Sequence, residues 1–226
     1  MIYPFFNALI GWDKHLLLAI NGWHSPWADS FFWLMSSKLF PVVLSILLLY
    51  FLWKNNGLRT IWYVLFLALT ILLADQIASG LIKPLVARLR PTHDPSIQSM
   101  VRLVHNYAGG LYGFVSSHAA ITFGTSLYVS LLLRKRLLII LFFVWAAVTS
   151  YSRMYLGVHF PLDVLGGTIV GFLCGGFSYY LMTSIAHHWK PAFALATPAR
   201  MSPKNVRYFF WIGFGFFAVV VVACIF

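Results

Sequence analysis

The chain has 226 residues, 61% of them apolar, 18% aromatic and only 9% charged, far outside the range of water-soluble domains. Sixteen Lys and Arg stand against five acidic residues, a formal charge of +11, and every acid is an Asp. A soluble globule is excluded. A nucleic-acid partner is disfavoured because the short Arg134-Lys135-Arg136 is the one basic block outside the apolar runs, so the positive balance points to anionic lipid or a phosphorylated substrate.

From the N-terminus, Tyr3 to Trp23 mixes Phe5, Leu9, Trp12, Leu16 and Ile20 with Asp13, Lys14, His15 and Asn21, which predicts an interfacial helix. The first eleven residues carry no basic side chain, so no cleavable secretory signal is expected and the apolar segments belong to the mature protein. A helix needs roughly 20 apolar residues to cross a hydrocarbon core. Six runs approach that length, at about 37 to 53, 60 to 81, 116 to 133, 137 to 152, 161 to 184 and 207 to 226. The expected fold is all-α, a polytopic membrane bundle of about six spans plus the interfacial helix, forming one domain over 1–226.

Features inside the spans have mostly structural readings. Cys174 and Cys224 lie within apolar runs, as small core residues do. Gly167, Gly171 and Gly175 recur every fourth residue, which allows close packing of the fifth span against a neighbour. Asp75 falls in the middle of the second span and needs a partner or a proton there; a hydrogen bond supporting the site and a bond to a neighbouring span are equally open. His15, His24, His187 and His188 read as interfacial polar residues. The connection 185 to 206, with Lys190, Arg200, Lys204, Pro191, Pro198 and Pro203, reads as a basic loop near anionic headgroups.

Orientation follows from Lys and Arg counted by side. One side carries nine: Lys54, Arg59, Arg134, Lys135, Arg136, Lys190, Arg200, Lys204 and Arg207. The other carries seven: Lys14, Lys38, Lys83, Arg88, Arg90, Arg102 and Arg153. If a ligand holds Lys83, Arg90 and Arg153, the side bearing them should face away from the cytoplasm.

Three stretches on that side hold the chemistry: Lys83-Pro-Leu-Val-Ala-Arg-Leu-Arg90-Pro91, Val115-Ser116-Ser117-His118, and Ser152-Arg153 followed by His159 and Asp163. Each sits at a span end. Three basic side chains gathered there would repel one another unless an anion lay between them, and phosphate is the natural one. His159 and Asp163 are four apart with Pro161 favouring a helix start between them. A carboxylate on one ring nitrogen leaves the other lone pair free, so His159 is the expected nucleophile. His118 follows two serines at a helix N-terminus, where backbone N–H groups bind anionic oxygens; it is the expected general acid. His93, Asp94 and His105 belong to the outer loop, with a solvated face the simpler reading and a headgroup contact the other. Arg88 is open between anchor and site.

The pattern Lys, six residues, Arg-Pro; then Ser-x-His; then Ser-Arg, five residues, His, three residues, Asp resembles the type 2 phosphatidic acid phosphatase superfamily, related to the vanadium haloperoxidases. The resemblance covers about 60 to 184, with 207 to 226 as an extra C-terminal helix and the interfacial segment replacing a leading span. It implies that Lys83, Arg90, Ser116 and Arg153 bind phosphate oxygens with the Ser117 backbone N–H, that His118 protonates the leaving group, and that His159, oriented by Asp163, forms a phosphohistidine. No metal or other cofactor is implied. Val115 and Ser117 depart from the usual Pro-Ser-Gly-His, where Gly permits a closer backbone approach.

The expected function is therefore a lipid phosphatase of the cytoplasmic membrane, acting at its outer face on a phosphomonoester or diphosphate. A polyprenyl diphosphate such as the undecaprenyl carrier, a phosphatidylglycerol phosphate and lipid A all fit. A lipid phosphotransferase with the same site, or a catalytically silent lipid-binding protein, are the alternatives; oligomeric state is open.

Overall fold

A computed structural model describes residues 2–189 and 199–224, with side chains for 7–188 and 199–224. Lys190, Pro191 and Pro198 of the expected basic loop, and the side chains of Tyr3 and Phe5, lie outside the described residues. Among the described residues, eight long helices follow one another: α1 (Ile2–Gly22), α2 (Pro26–Ser36), α3 (Leu39–Asn56), α4 (Arg59–Val86), α5 (Ser117–Leu133), α6 (Arg136–Tyr155), α7 (Pro161–Trp189) and α8 (Pro203–Ala223).

All six apolar runs are helices, and five of them, α3, α4, α6, α7 and α8, are long and apolar enough to cross a bilayer. The sixth, α5, has 17 residues, about 26 Å at 1.5 Å per residue, shorter than a hydrocarbon core of roughly 30 Å. Its start explains the shortness: α5 begins at Ser116, which is fully buried and caps the helix by accepting from the Ala119 N–H, so the span opens inside the protein instead of at its rim.

Two elements differ from the expected ones. Helix α4 runs five residues past 81, through a wider π turn at Gln76–Ile82 in which Lys83 N–H donates to Ala78 O. The extra residue per turn absorbs Pro84, which has no N–H to give; Lys83 thus belongs to a helix and not to the following loop. Helix α2 was not expected at all. Ser25 caps it by accepting from Ala28 N–H and Pro26 opens it, both ordinary start signals, and Ala28, Phe31, Phe32 and Met35 give it a buried stripe.

The expected interfacial segment forms helix α1. Trp12 is 55% exposed, whereas Asp13, Leu17 and Asn21, spaced one turn apart, are buried. Two of the polar residues that break the apolar pattern, Asp13 and Asn21, thus lie on the buried face of α1.

The bundle is inverted relative to a soluble protein: Ile46, Leu65, Val144, Leu173, Phe177 and Val219 point outward, as lipid-facing side chains must. Inside, α5 and α7 pack closely. A Cβ on Gly167, Gly171 or Gly175 would come within 2.4 Å of a backbone oxygen of α5 or of the Ser116 that caps it, which is the close approach that small residues permit. Tyr128 of α5, fully buried, donates to Tyr63 O at 2.8 Å and ties α4 to the same core. Helix α8 adds Phe209, whose ring meets Phe51 of α3 and Phe142 of α6. Cys174 and Cys224 are unpaired, Cys174 in the core.

Candidate active site

The connection from α4 to α5 folds back on itself. Arg90 N–H donates to Leu111 O and Gly113 N–H to Arg88 O, so the first motif runs beside residues 111–113. A Cβ on Gly113 would lie 2.8 Å from Asp163 Oδ2 and 3.3 Å from Arg90 Cγ; glycine is what lets this strand-like turn pass between two site residues. The third motif locks onto the second through the backbone, because Ser116 N–H donates to Asp163 O at 2.8 Å.

These connections bring the expected residues together. Arg90, almost fully buried, donates from Nε to Tyr112 O at 3.0 Å, and from Nη1 to Val158 O at 3.1 Å. The same Nη1 lies 3.2 Å from His159 Nε2. On the other side of that ring Nδ1 faces Asp163 Oδ2 at 3.4 Å, and Oδ2 also accepts from Phe160 N–H at 3.0 Å. His159 is therefore held from both nitrogens. Burial first, then the charges of Arg90, Arg153 and Lys83, push its imidazole well below the usual histidine range, so the neutral ring prevails. Burial, with Arg153 nearby, also lowers Arg90 from its ordinary value.

Lys83 Nζ donates to Ser117 Oγ at 3.0 Å. The serine that stands in place of the usual glycine thus receives the lysine at the mouth of α5. Val115, in place of proline, is buried against Gly166. Arg153, also buried, reaches Ser36 Oγ and lies over the Tyr107 ring, 5.6 Å from its centroid. His118 follows Ser117, the residue that receives Lys83, and shares a cavity wall with Arg153.

His118 stands on the wall of two cavities. One, of about 170 Å³, is lined by Trp33, Ser36, Ser37, Tyr107, His118 and Arg153. The other, of about 440 Å³, runs between α3, α4, α5 and α6 past Ser117, Asp75, Ile71, Ile121 and Trp145. Asp75 accepts from Ser79 Oγ at 3.0 Å within its own helix and lines the second cavity.

Sequence reasoning missed several residues here. The α2 end, Trp33 to Ser37, walls the smaller cavity, and Tyr107 of the outer loop joins it; nothing in a linear pattern announces such a wall. Arg88, open between two readings in the sequence, bridges Asp163 Oδ1 at 2.9 Å and Asp13 Oδ2 at 2.5 Å. Asp94 and Lys14 form an ion pair at 2.8 Å, and the His105 ring packs edgewise on Trp33.

Comparison with known proteins matches the chain to a family. Residues 59–186 match the model of the PAP2 superfamily, which spans α4 to α7. The chain is 41% identical over 177 residues to a lipid A 4'-phosphatase of Bacteroides thetaiotaomicron, covering 77% of each chain. It is 35% identical over 193 residues to a lipid A 4'-phosphatase of Porphyromonas gingivalis, covering 83% of this chain and 80% of that one. Among solved structures, that of Aquifex aeolicus LpxE superposes with a TM-score of 0.56 at 27% identity, covering 74% of this chain and 93% of that one. The chain belongs to the PAP2 superfamily, as a multi-pass membrane lipid phosphatase.

Proposed function

We propose that the protein removes a phosphate from a lipid A-type substrate, at the membrane face turned away from the cytoplasm, through a phosphohistidine formed on His159. The observation that carries the mechanism is the His159 ring held between Arg90 at Nε2 and Asp163 at Nδ1. With Nδ1–H directed to the carboxylate, Nε2 presents its lone pair to phosphorus. Substrate phosphate offers Arg90 a better acceptor than the ring, a charged oxygen, and so frees Nε2.

The Nε2–P bond forms as the P–O bond to the lipid breaks, and that oxygen takes the proton of His118. Water then attacks phosphorus, returns a proton to His118, and the N–P bond breaks. Lys83, Arg90, Arg153, Ser116 and the Ser117 N–H stabilise the charge that spreads over the phosphoryl oxygens. The position of His118 between the two cavities supports its role, with the phosphate on the Arg153 side and the lipid moiety along the larger, mainly apolar cavity. The catalytic core on this reading is about 60–184, with α8 an addition.

The lipid A assignment rests on the two relatives of that name. The outward orientation rests on the cations: Arg90 meets His159, Arg153 shares a cavity with His118, Lys83 meets Ser117, and Lys14, Arg88 and Arg102 are ion-paired with Asp94, Asp13 and Asp163, and Asp29. Lys38, the remaining cation of that face, lines the larger cavity, whereas the sequence places nine on the opposite side.

The test is phosphate release by purified protein from lipid A, phosphatidylglycerol phosphate and undecaprenyl diphosphate, for wild type and His159→Ala. Preferential release from lipid A, abolished in the variant, is expected. Release by the variant would remove His159 as nucleophile, and preference for another lipid would remove the substrate assignment while leaving the mechanism.

A further inference from the structure

We propose that Asp13, on α1, is a positioning residue for the reaction: it fixes the Arg88 guanidinium so that Arg88 holds Asp163 by one oxygen and leaves the other for His159. This rests on the roles proposed for His159 and Asp163.

A fully buried carboxylate on an otherwise amphipathic surface helix is costly to keep unless something pairs with it. Asp13 has two partners, and both lead to the same turn. Its Oδ2 accepts from Arg88 Nη2 at 2.5 Å, and its Oδ1 accepts from Leu162 N–H at 2.9 Å. Leu162 adjoins Asp163. Arg88 donates its other terminal nitrogen, Nη1, to Asp163 Oδ1 at 2.9 Å, and its plane lies over the Phe160 ring, 4.1 Å from the centroid. Both routes end within residues 160–163, the first turn of α7 and the residue before it.

The division of the guanidinium fork is what matters. An arginine facing a single carboxylate prefers two parallel N–H···O bonds, one to each oxygen. Were Arg88 to grip Asp163 in that way, Oδ2 would be drawn from Phe160 N–H and His159 Nδ1, which it meets at 3.0 and 3.4 Å. Asp13 occupies the second arm of the fork and keeps Arg88 on Oδ1 alone. Docking of α1 does not depend on this charge, because Asn21 separately grips Arg102 N–H, Arg102 O and Tyr155 O, and Leu17 is buried in its own cluster.

Asp13→Asn keeps the shape and an acceptor for Leu162 while removing the charge. The expected result, on the lipid phosphate that the wild-type chain hydrolyses fastest, is a fall in kcat of about tenfold with KM within about twofold and an unchanged apparent melting temperature. In an Arg88→Met background, Asp13→Asn should cost less than about twofold further, since both act through one guanidinium. Wild-type kcat in Asp13→Asn would overturn the proposal, as would a loss that multiplies in full with that of Arg88→Met, the signature of an anchor working through Leu162 alone. Should Asp13→Asn fail to fold, Arg88→Lys decides, because it keeps a charge that cannot bridge two carboxylates; wild-type kcat there overturns the proposal and a tenfold loss sustains it. Turnover by His159→Ala would overturn the underlying mechanism too, whereas an inactive His159→Ala beside a fully active Asp13→Asn overturns this inference alone.

Discussion

On the face that carries the site, Arg90 and Arg153 are buried, and Lys83 reaches the buried end of α5; Lys14, Arg88 and Arg102 are each tied to an aspartate. On the opposite face Lys54, Arg134, Arg136, Arg200, Lys204 and Arg207 are exposed, and among the described residues none of these is in an ion pair. All five aspartates lie on the first face or in the span beneath it. The same residue types are thus used in two ways. Packing holds the first set at fixed distances before any substrate arrives, which is what makes charge effective at a transition state. The second set is solvated, screened, and suited to headgroups and orientation.

The largest effect that sharpens this contrast is expected from His159→Ala, which should lower phosphate release by at least about 10³-fold with little change in melting temperature. Next is Arg153→Lys. Lysine keeps the charge but not the planar fork, so a loss of roughly 10- to 100-fold is expected; near-normal kinetics would mean that charge alone suffices at this face and would erase the distinction. Gly167→Ala tests the packing beneath the site. Its Cβ would sit 2.3 Å from Ser116 O, and a stability loss of about 2–3 kcal/mol in thermal melts is expected.

Asp29 shows the pairing at work on stability. Burial pushes its carboxyl up, but hydrogen bonds from Arg102 and Tyr155 outweigh that and hold it below its ordinary value of 3.8. A carboxylate lowered in the folded state stabilises above its unfolded value and loses that contribution as pH falls through the folded one. Asp29→Asn should therefore cost about 1 kcal/mol after solvent screening at pH 6 to 8, and the gap to wild type in melting temperature should close below about pH 4. The smallest effect is expected from Arg134→Gln with Arg136→Gln, which should leave kcat within about twofold. A loss comparable to that of Arg153→Lys would break the comparison outright.

Some of this was open to reading along the chain and some was not. The spans were visible because hydrocarbon imposes a length on apolar runs, and the glycine repeat of α7 was visible because close helix packing has a four-residue period. Helix α2 carried its Ser-Pro start in plain view but was too short to register against span-length windows. The buried face of α1 could not be read from its pattern for a physical reason: at a lipid surface apolar residues such as Trp12 point outward, while Asp13 pairs inside with a residue 75 positions away. The extension of α4 past Pro84 depended on a π turn that no residue type specifies.

By itself, then, the order of residues determined a multi-span helical membrane protein and marked the His-Asp spacing and the Ser-Ser-His helix start as candidate chemistry, since span length, helical period and capping are local properties. Only the tertiary structure decided that Arg88 is shared between Asp13 and Asp163, that α2 and Tyr107 wall the smaller cavity, and that Ser117 receives Lys83. Those contacts join residues from 34 to 117 positions apart, and which distant groups meet is settled by how the helices pack, not by any pattern within a helix.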